Sequence, residues 1–194
     1  APSFDPAALK MLMEKPNIRL LETGPLRLDE EKRDIKKVAG GILVQTANTY
    51  VVTEKDLKIV TKKKPTPMQI RAMLFANTVC KHVMSNAVVF AKSEDGRDRV
   101  TGIGAGQMSR VDSVWIAAHK GGENVKGSPL ARHGALASGS VMASDAFFPF
   151  PDALEEAAKA GAVAVIAPGG SIRDDEVIAA ADKLGIAMVF TGIR

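Results

Sequence analysis

Residues 152–190 read DALEEAAKAGAVAVIAPGGSIRDDEVIAAADKLGIAMVF, and their pattern decides the fold class. Residues 152–160 have helical spacing, and 163–167 are an apolar run of strand length. Residues 173–184 are helical again up to Gly185, and 186–190 form a second apolar strand. Helix–strand–helix–strand at this spacing calls for right-handed parallel crossovers. The expected class is α/β, a three-layer α/β/α arrangement with helices covering a mixed sheet.

The antiparallel part of that sheet lies upstream. Ala87–Val88–Val89–Phe90–Ala91 is a continuous apolar run that reads as a buried strand. Glu94–Asp95–Gly96–Arg97 turns the chain and Arg99–Ile103 returns it, so Asn86 and Arg110 stand at the two outer ends of a hairpin and are expected to meet on one edge. A helix is expected from Thr66 to Val83. Thr66 caps it, Pro67 takes its first position, and Gln69 reaches back in a capping box. A shorter helix starts at Pro6, and another runs from Ser109 to about His119. Residues 18–21 and 41–46 read as strands, with short extended pieces at 51–52 and 57–60 and a charged irregular connection over 22–38. Glycines at 121, 122, 127, 134 and 139 mark residues 119–143 as an expected mobile loop.

At 194 residues the chain is long enough for one domain, expected over 1–194, with a real core. Its 26 Lys+Arg against 22 Asp+Glu leave a net charge of +4, a bias that suits anionic metabolites without demanding nucleic acid. Aromatics at 5% give little material for stacking bases. The basic run Lys62–Lys63–Lys64 reads as a solvated linker. Cys80 is the single cysteine, so neither an intrachain disulfide nor a cysteine-based zinc site is available, and a reducing cytoplasm fits. No apolar run approaches the roughly 20 residues of a membrane span, and no signal peptide is read. A chain opening on Ala1–Pro2–Ser3 without methionine is expected to be a processed or excised piece.

Three stretches carry candidate chemistry. Thr101–Gly–Ile–Gly–Ala–Gly–Gln–Met–Ser–Arg110 brings alternating glycines to a helix start. The spacing is not that of a dinucleotide loop, because Gln107 holds the position of its last glycine. What stays open is a tight strand-to-helix turn or an anion cradle, with Arg110 as the phosphate or carboxylate clamp. Asp145–Ala–Phe–Phe–Pro–Phe–Pro–Asp152 is a stiff apolar wall, either a corner of the core or a slot for a flat heterocycle whose ring N–H groups Asp152 would accept. Pro168–Gly–Gly–Ser–Ile–Arg–Asp174 follows a strand and precedes a helix, where ligands of open α/β sheets bind. There Ser171 either bonds a ligand or caps the helix. Lys81 and His82 are neighbours pointing about 100° apart on a helix, a poor catalytic pair. His119 and His133 have no ligand spacing, and the signature of the zinc deaminases is missing.

Together with Ser85–Asn86–Ala87–Val88–Val89, Ser144–Asp145 and the closing Phe190–Thr–Gly–Ile–Arg194, these motifs resemble, over the whole chain, the C-terminal part of AICAR transformylase. That enzyme is the formyltransferase half of the bifunctional purine-biosynthesis protein whose other half is IMP cyclohydrolase. The resemblance implies a cytidine deaminase-like fold without zinc, used twice in tandem, with this chain as the second copy and its lead-in. It implies formyl transfer from the cosubstrate 10-formyltetrahydrofolate to AICAR. By motif, Asn86, Arg110, Phe147 and Arg194 would bind AICAR, while Val111, Asp152, Ser171 and Ile172 would line the folate side. A homodimer is implied too, since family sites form between subunits.

The same resemblance exposes a departure. The family's catalytic lysine–histidine pair stands in a K-H-x-x-P-x-G context that this chain lacks, and Lys81–His82 aligns with a non-catalytic stretch. No residue is therefore assigned a catalytic role. Three expectations follow: a formyltransferase portion completed by a partner chain carrying the missing half, the cyclohydrolase, or both; a nucleotide- or folate-binding module without turnover; or an enzyme that has recruited Lys81–His82 or His119.

Overall fold

The computed structural model describes residues 1–25, 33–123 and 138–193. Contacts divide the chain into two units, Ala1–Tyr50 and Val51–Arg194, where the sequence suggested one domain. None of the described residues in the first unit is buried.

The first unit holds helix α1 (Pro6–Met13) and strands β1 (Arg33–Val38) and β2 (Gly41–Thr46). Asp5 caps α1, accepting from the N–H groups of Ala7 at 2.9 Å and Ala8 at 3.4 Å, and Pro6 occupies the first turn. β1 and β2 pair antiparallel from Arg33↔Thr46 to Val38↔Gly41. β1 falls in the stretch read as irregular; its sequence RDIKKV has little strand character, and the ladder with β2 supplies it. The strand expected over 18–21 has no ladder and is not formed.

The second unit contains β3 (Lys58–Ile59), α2 (Pro67–Cys80), β4 (Val88–Glu94), β5 (Arg97–Gly104), α3 (Arg110–Glu123), β6 (Val141–Ser144), α4 (Asp152–Lys159), β7 (Ala164–Ala167), α5 (Asp174–Leu184) and β8 (Ala187–Phe190). Residues 51 and 52 lie outside regular structure. The strands form one mixed sheet in the order β3-β8-β7-β6-β4-β5. β6, β7 and β8 are parallel neighbours joined through α4 and α5, while β3, β4 and β5 run antiparallel to their partners. The capping box at α2 is formed: the Gln69 N–H donates to Thr66 Oγ1 at 3.2 Å, and the Thr66 N–H donates to Gln69 Oε1 at 2.9 Å. α5 ends at Gly185, whose φ of 69° is the left-handed conformation of a helix C-terminus.

Side chains alternate across each strand and divide the interior in two. Val88, Phe90, Met142, Val165, Ala167 and Met188 pack with Val114 of α3, Leu154 of α4 and Val177 of α5. Val89, Ala91, Ala143, Ala164, Ile166, Ala187 and Val189 face Ala72, Met73, Ala76 and Cys80 of α2. Helices thus cover both faces of the mixed sheet, as expected, and among the described residues α2 is the helix on one of them. Each large side chain fully buried here contributes about 1.5–3 kcal/mol.

Two expectations are corrected. The loop expected over 119–143 is helix through Glu123 at one end and strand from Val141 at the other; residues 124–137, His133 included, lie outside the described residues. The Lys62–Lys63–Lys64 run is tied to the end of α5 rather than left as a linker. The Lys62 N–H donates to Asp182 Oδ1 at 2.8 Å, and Lys63 Nζ donates to the Gly185 carbonyl at 2.6 Å.

Candidate functional site

Strand direction gathers the sequence-derived candidates at one end of the sheet. Val88 pairs with both Ser144 and Gly104, so the start of β4, the finish of β5 and the finish of β6 coincide. β7 and β8 run parallel to β6 and end on the same side. Asn86, Arg110, the 145–152 segment and the 168–174 loop all leave the sheet there, the usual place for a ligand in an open α/β sheet. Arg194 lies outside the described residues.

Asn86 and Arg110 meet as the hairpin reading expected. Arg110 Nη2 donates to Asn86 Oδ1 at 3.0 Å, and Asn86 Nδ2 donates to the carbonyls of Gln107 at 2.8 Å and Met108 at 3.3 Å. Arg110 Nη1 donates to Ser144 Oγ at 2.9 Å and to Asp145 Oδ1 at 2.6 Å. Asp145 also accepts from the Ala87 N–H at 2.9 Å and, through Oδ2, from the Ser85 hydroxyl. The Ser113 hydroxyl donates to the Asn86 carbonyl at 2.8 Å, fastening α3 to the same turn. The Ser85–Asn86 peptide is cis.

The ion pair at the centre of this network is largely withdrawn from water, while Ser85 at its edge is exposed. The side chains of Arg110 and Asp145 are 9% and 15% exposed. Burial pushes the Asp145 carboxyl up, but the hydrogen bonds from Ser85, Ala87 and Arg110 outweigh it and hold the group below the usual carboxylate range. One nitrogen is left without a partner: Arg110 Nε is buried and makes no hydrogen bond. Arg110 is thus no outward-facing clamp. Its charge is met by Asp145, and both of its terminal nitrogens donate to protein acceptors.

The glycine run before it has a packing role. A methyl group on Gly102 would lie 2.9 Å from the Ala117 carbonyl carbon, and one on Gly104 would lie 2.6 Å from that of Ser113. Both glycines therefore let the backbone of α3 settle against β5, and the cradle reading gives way to the turn reading. Gly106, with φ of 68°, makes the turn itself.

The remaining candidates lie at the same end of the sheet, and no hydrogen bond described joins them to this network. Phe147 is 36% exposed at the rim, whereas Phe148, from the same apolar wall, is buried in the core. Phe150 is half exposed and takes the Arg173 guanidinium over its ring at 4.6 Å. Asp152 Oδ1 accepts from the Ala153 N–H at 2.7 Å at the start of α4. Val111 packs half-buried against the core. Ser171 Oγ accepts from the Arg173 N–H at 3.1 Å, and Ile172 is fully exposed. The carboxylate of Asp174 accepts from the N–H groups of Gly170 at 2.7 Å and Ser171 at 3.2 Å, holding that loop.

His82 sits exposed on the turn that ends α2, and His119 stacks on Trp115 with ring centroids 4.9 Å apart. Among the described residues no group of three or more His, Cys, Asp or Glu could hold a metal ion, and no helix is long and apolar enough to cross a membrane. Sequence reading missed Ser85, Ser144 and Asp145 as site residues. The available signal was their position: Ser144–Asp145 closes a strand at its carboxyl end, and Ser85 directly precedes Asn86.

Comparison with known proteins finds a family described as "AICARFT/IMPCHase bienzyme", whose model matches residues 1–120. The bifunctional purine biosynthesis protein PurH of Brucella anthropi is 54% identical over 196 residues, covering 100% of this chain and 35% of that protein. The same protein of Rhodospirillum rubrum is 52% identical over 195 residues, 100% of this chain and 36% of its own. That of Bartonella bacilliformis is 51% identical over 198 residues, 100% and 35%. The chain spans about a third of the length of these curated relatives.

Proposed function

The chain belongs to the AICARFT/IMPCHase bienzyme family, and on that footing we propose that it is the C-terminal, formyltransferase portion of a purine-biosynthesis protein. In this reading it binds AICAR and 10-formyltetrahydrofolate in the cytoplasm as a homodimer of cytidine deaminase-like domains without zinc. The observation that carries it is the Asn86–Arg110–Asp145 knot at the carboxyl end of the sheet, with the partly exposed Phe147 two residues beyond Asp145 and a buried guanidinium Nε that makes no hydrogen bond.

The pairing with Asp145 decides what such a knot suits. A guanidinium neutralised by a carboxylate offers hydrogen-bond geometry and little outward charge, which favours a neutral polar group such as a carboxamide over a phosphate. Phe147 offers an apolar face for the flat imidazole, the phosphate is left to a separate cation such as Arg194, and Val111, Asp152, Ser171 and Ile172 are proposed for the folate side.

Formyl transfer asks for more than binding. The AICAR amine is a poor nucleophile, its lone pair drawn into the ring. Attack on the formyl carbon needs a base for the amine proton and a cation for the oxyanion. Binding groups alone supply proximity, and each missing catalytic group costs roughly a hundredfold or more. Turnover is therefore assigned to an assembly in which another polypeptide segment supplies a lysine–histidine pair. The lack of that pair's sequence context also supports a second reading, a nucleotide- or folate-binding module without turnover. Calorimetric titration of the chain with AICAR, beside a formyl-transfer assay, separates them. Binding with turnover only on adding the missing half of a relative supports the first; binding without turnover in either case supports the second. No heat with AICAR removes both.

A further inference from the structure

We propose that Asp145 is the positioning residue of this site, holding Asn86 and Arg110 in the arrangement that receives the ligand; the proposal rests on the AICAR-binding reading above. One carboxylate ties together three segments distant in sequence. Oδ2 accepts from the Ser85 hydroxyl of the turn before β4, and Oδ1 accepts from the Ala87 N–H at 2.9 Å and from Arg110 Nη1, at the start of α3, at 2.6 Å. Arg110 passes the constraint on through Nη2 to Asn86 at 3.0 Å, and Asn86 anchors to the carbonyls of Gln107 and Met108. With the carboxylate gone, a guanidinium only 9% exposed has no counter-charge, and two further donors lose their acceptor. A cation in that position turns toward water. Asn86 then loses the partner of its Oδ1, and the unpaired Nε leaves the place where a ligand acceptor would meet it. Asp145 itself need not touch the ligand.

The test compares the intact chain with Asp145→Asn, Ser85→Ala and Asp98→Asn by calorimetric titration with AICAR and by thermal melting. Asp98 is the control. It accepts from Arg71 at 2.9 Å and from the Ser93 hydroxyl at the opposite end of the β4–β5 hairpin, so its loss removes an ion pair, more exposed than that of Asp145, away from the site. Asp145→Asn is expected to weaken AICAR on the order of tenfold or more, and Ser85→Ala about two- to fivefold. Asp98→Asn is expected to lower the melting temperature with AICAR affinity unchanged.

A pH profile separates positioning from bulk stability. The charged and titratable groups acting on Asp145 are Arg110 from α3 and Cys80 from α2, whose thiol stays neutral. Wild-type affinity should therefore carry an acid limb that Asp145→Asn lacks, while Asp98→Asn keeps it. If Asp145→Asn fails to fold, Ser85→Ala decides. Wild-type binding of AICAR with undiminished affinity in Asp145→Asn, or in Ser85→Ala when that variant has to decide, overturns the positioning role alone. Absence of AICAR binding in the wild type overturns the site reading and this proposal with it.

Discussion

Adding one methyl group to Gly104 should damage both the fold and the site, and the size of the effect follows from the packing. That carbon would stand 2.6 Å from the carbonyl carbon of Ser113 and 2.8 Å from its Cα. Carbon atoms rest at about 3.5–4.0 Å, so α3 must retreat by about 1 Å. Overpacking of this kind costs about 1–3 kcal/mol. The atoms met are backbone, which no rotamer can move aside, so the upper end, about 3 kcal/mol, is expected for Gly104→Ala. For a chain of this length that is a fall of about 6–12 °C in melting temperature. The retreating helix also carries Ser113, bonded to the Asn86 carbonyl at 2.8 Å, and Arg110, so AICAR affinity should fall in the surviving folded protein. Gly106→Ala is the comparison. There the nearest atom to an added methyl is Met84 Sδ at 3.7 Å, leaving only the left-handed backbone, with φ of 68°, to resist. That conformation costs about 1–2 kcal/mol. Melting followed by circular dichroism, with calorimetry on each variant, reads both effects. Gly104→Ala melting no lower than Gly106→Ala would refute the argument that the glycines serve helix–strand contact.

Three further outcomes are expected. Because the folded state holds the Asp145 carboxyl below its usual range, it adds stability above about pH 3.9 that is lost as pH falls through that value and the lower folded one. Acid-unfolding curves of wild type and Asp145→Asn should accordingly converge below that range and separate above it. The Cys80 thiol is pushed up to about 12 by burial and then by the charge of Asp145, so an aromatic disulfide reagent at pH 8 should leave the native chain unmodified and titrate one thiol after denaturation. Thr66→Ala removes the acceptor for the Gln69 N–H and should cost about 1 kcal/mol by chemical denaturation, with AICAR affinity unaffected.

Local chemistry made much of this fold readable. Thr66, Pro67 and Gln69 announce the start of α2 in the residues that build it, and Gly185 announces the end of α5. The β4–β5 hairpin could be read, and with it the meeting of Asn86 and Arg110, because the two strands are adjacent in sequence. β6 could not: Val-Met-Ala-Ser is four residues, buried on both faces, with neither alternation nor a turn signal to set it apart from the glycine-punctuated stretch before it. β1 was hidden for the opposite reason, since its charged residues become a strand only against β2. The site divides the same way. Arg110 stood out as a fixed cation beside glycines, but the reading gave it a ligand where the fold gives it Asp145, 35 residues on. Of the two acids that bracket the apolar wall, the apolar slot draws attention to Asp152, whose Oδ1 accepts from the Ala153 N–H, while Asp145 is the one that meets Arg110. Whether a glycine's missing side chain admits a ligand or a neighbouring helix is a tertiary fact, and Gly102 and Gly104 admit a helix.

The two halves of the interior are unequal in bulk, and this acts as a check on assembly. Beneath α2 the strands present Ala91, Ala143, Ala164 and Ala187, while the opposite side receives Phe90, Met142 and Met188. Sliding β6 or β8 by a single residue would exchange its faces. A methionine would then be driven beneath α2, where Ala91, Ala143, Ala164 and Ala187 are interspersed with Val89, Ile166 and Val189, and a hollow would open across the sheet. Close packing thus opposes such a slip independently of any hydrogen bond at the rim.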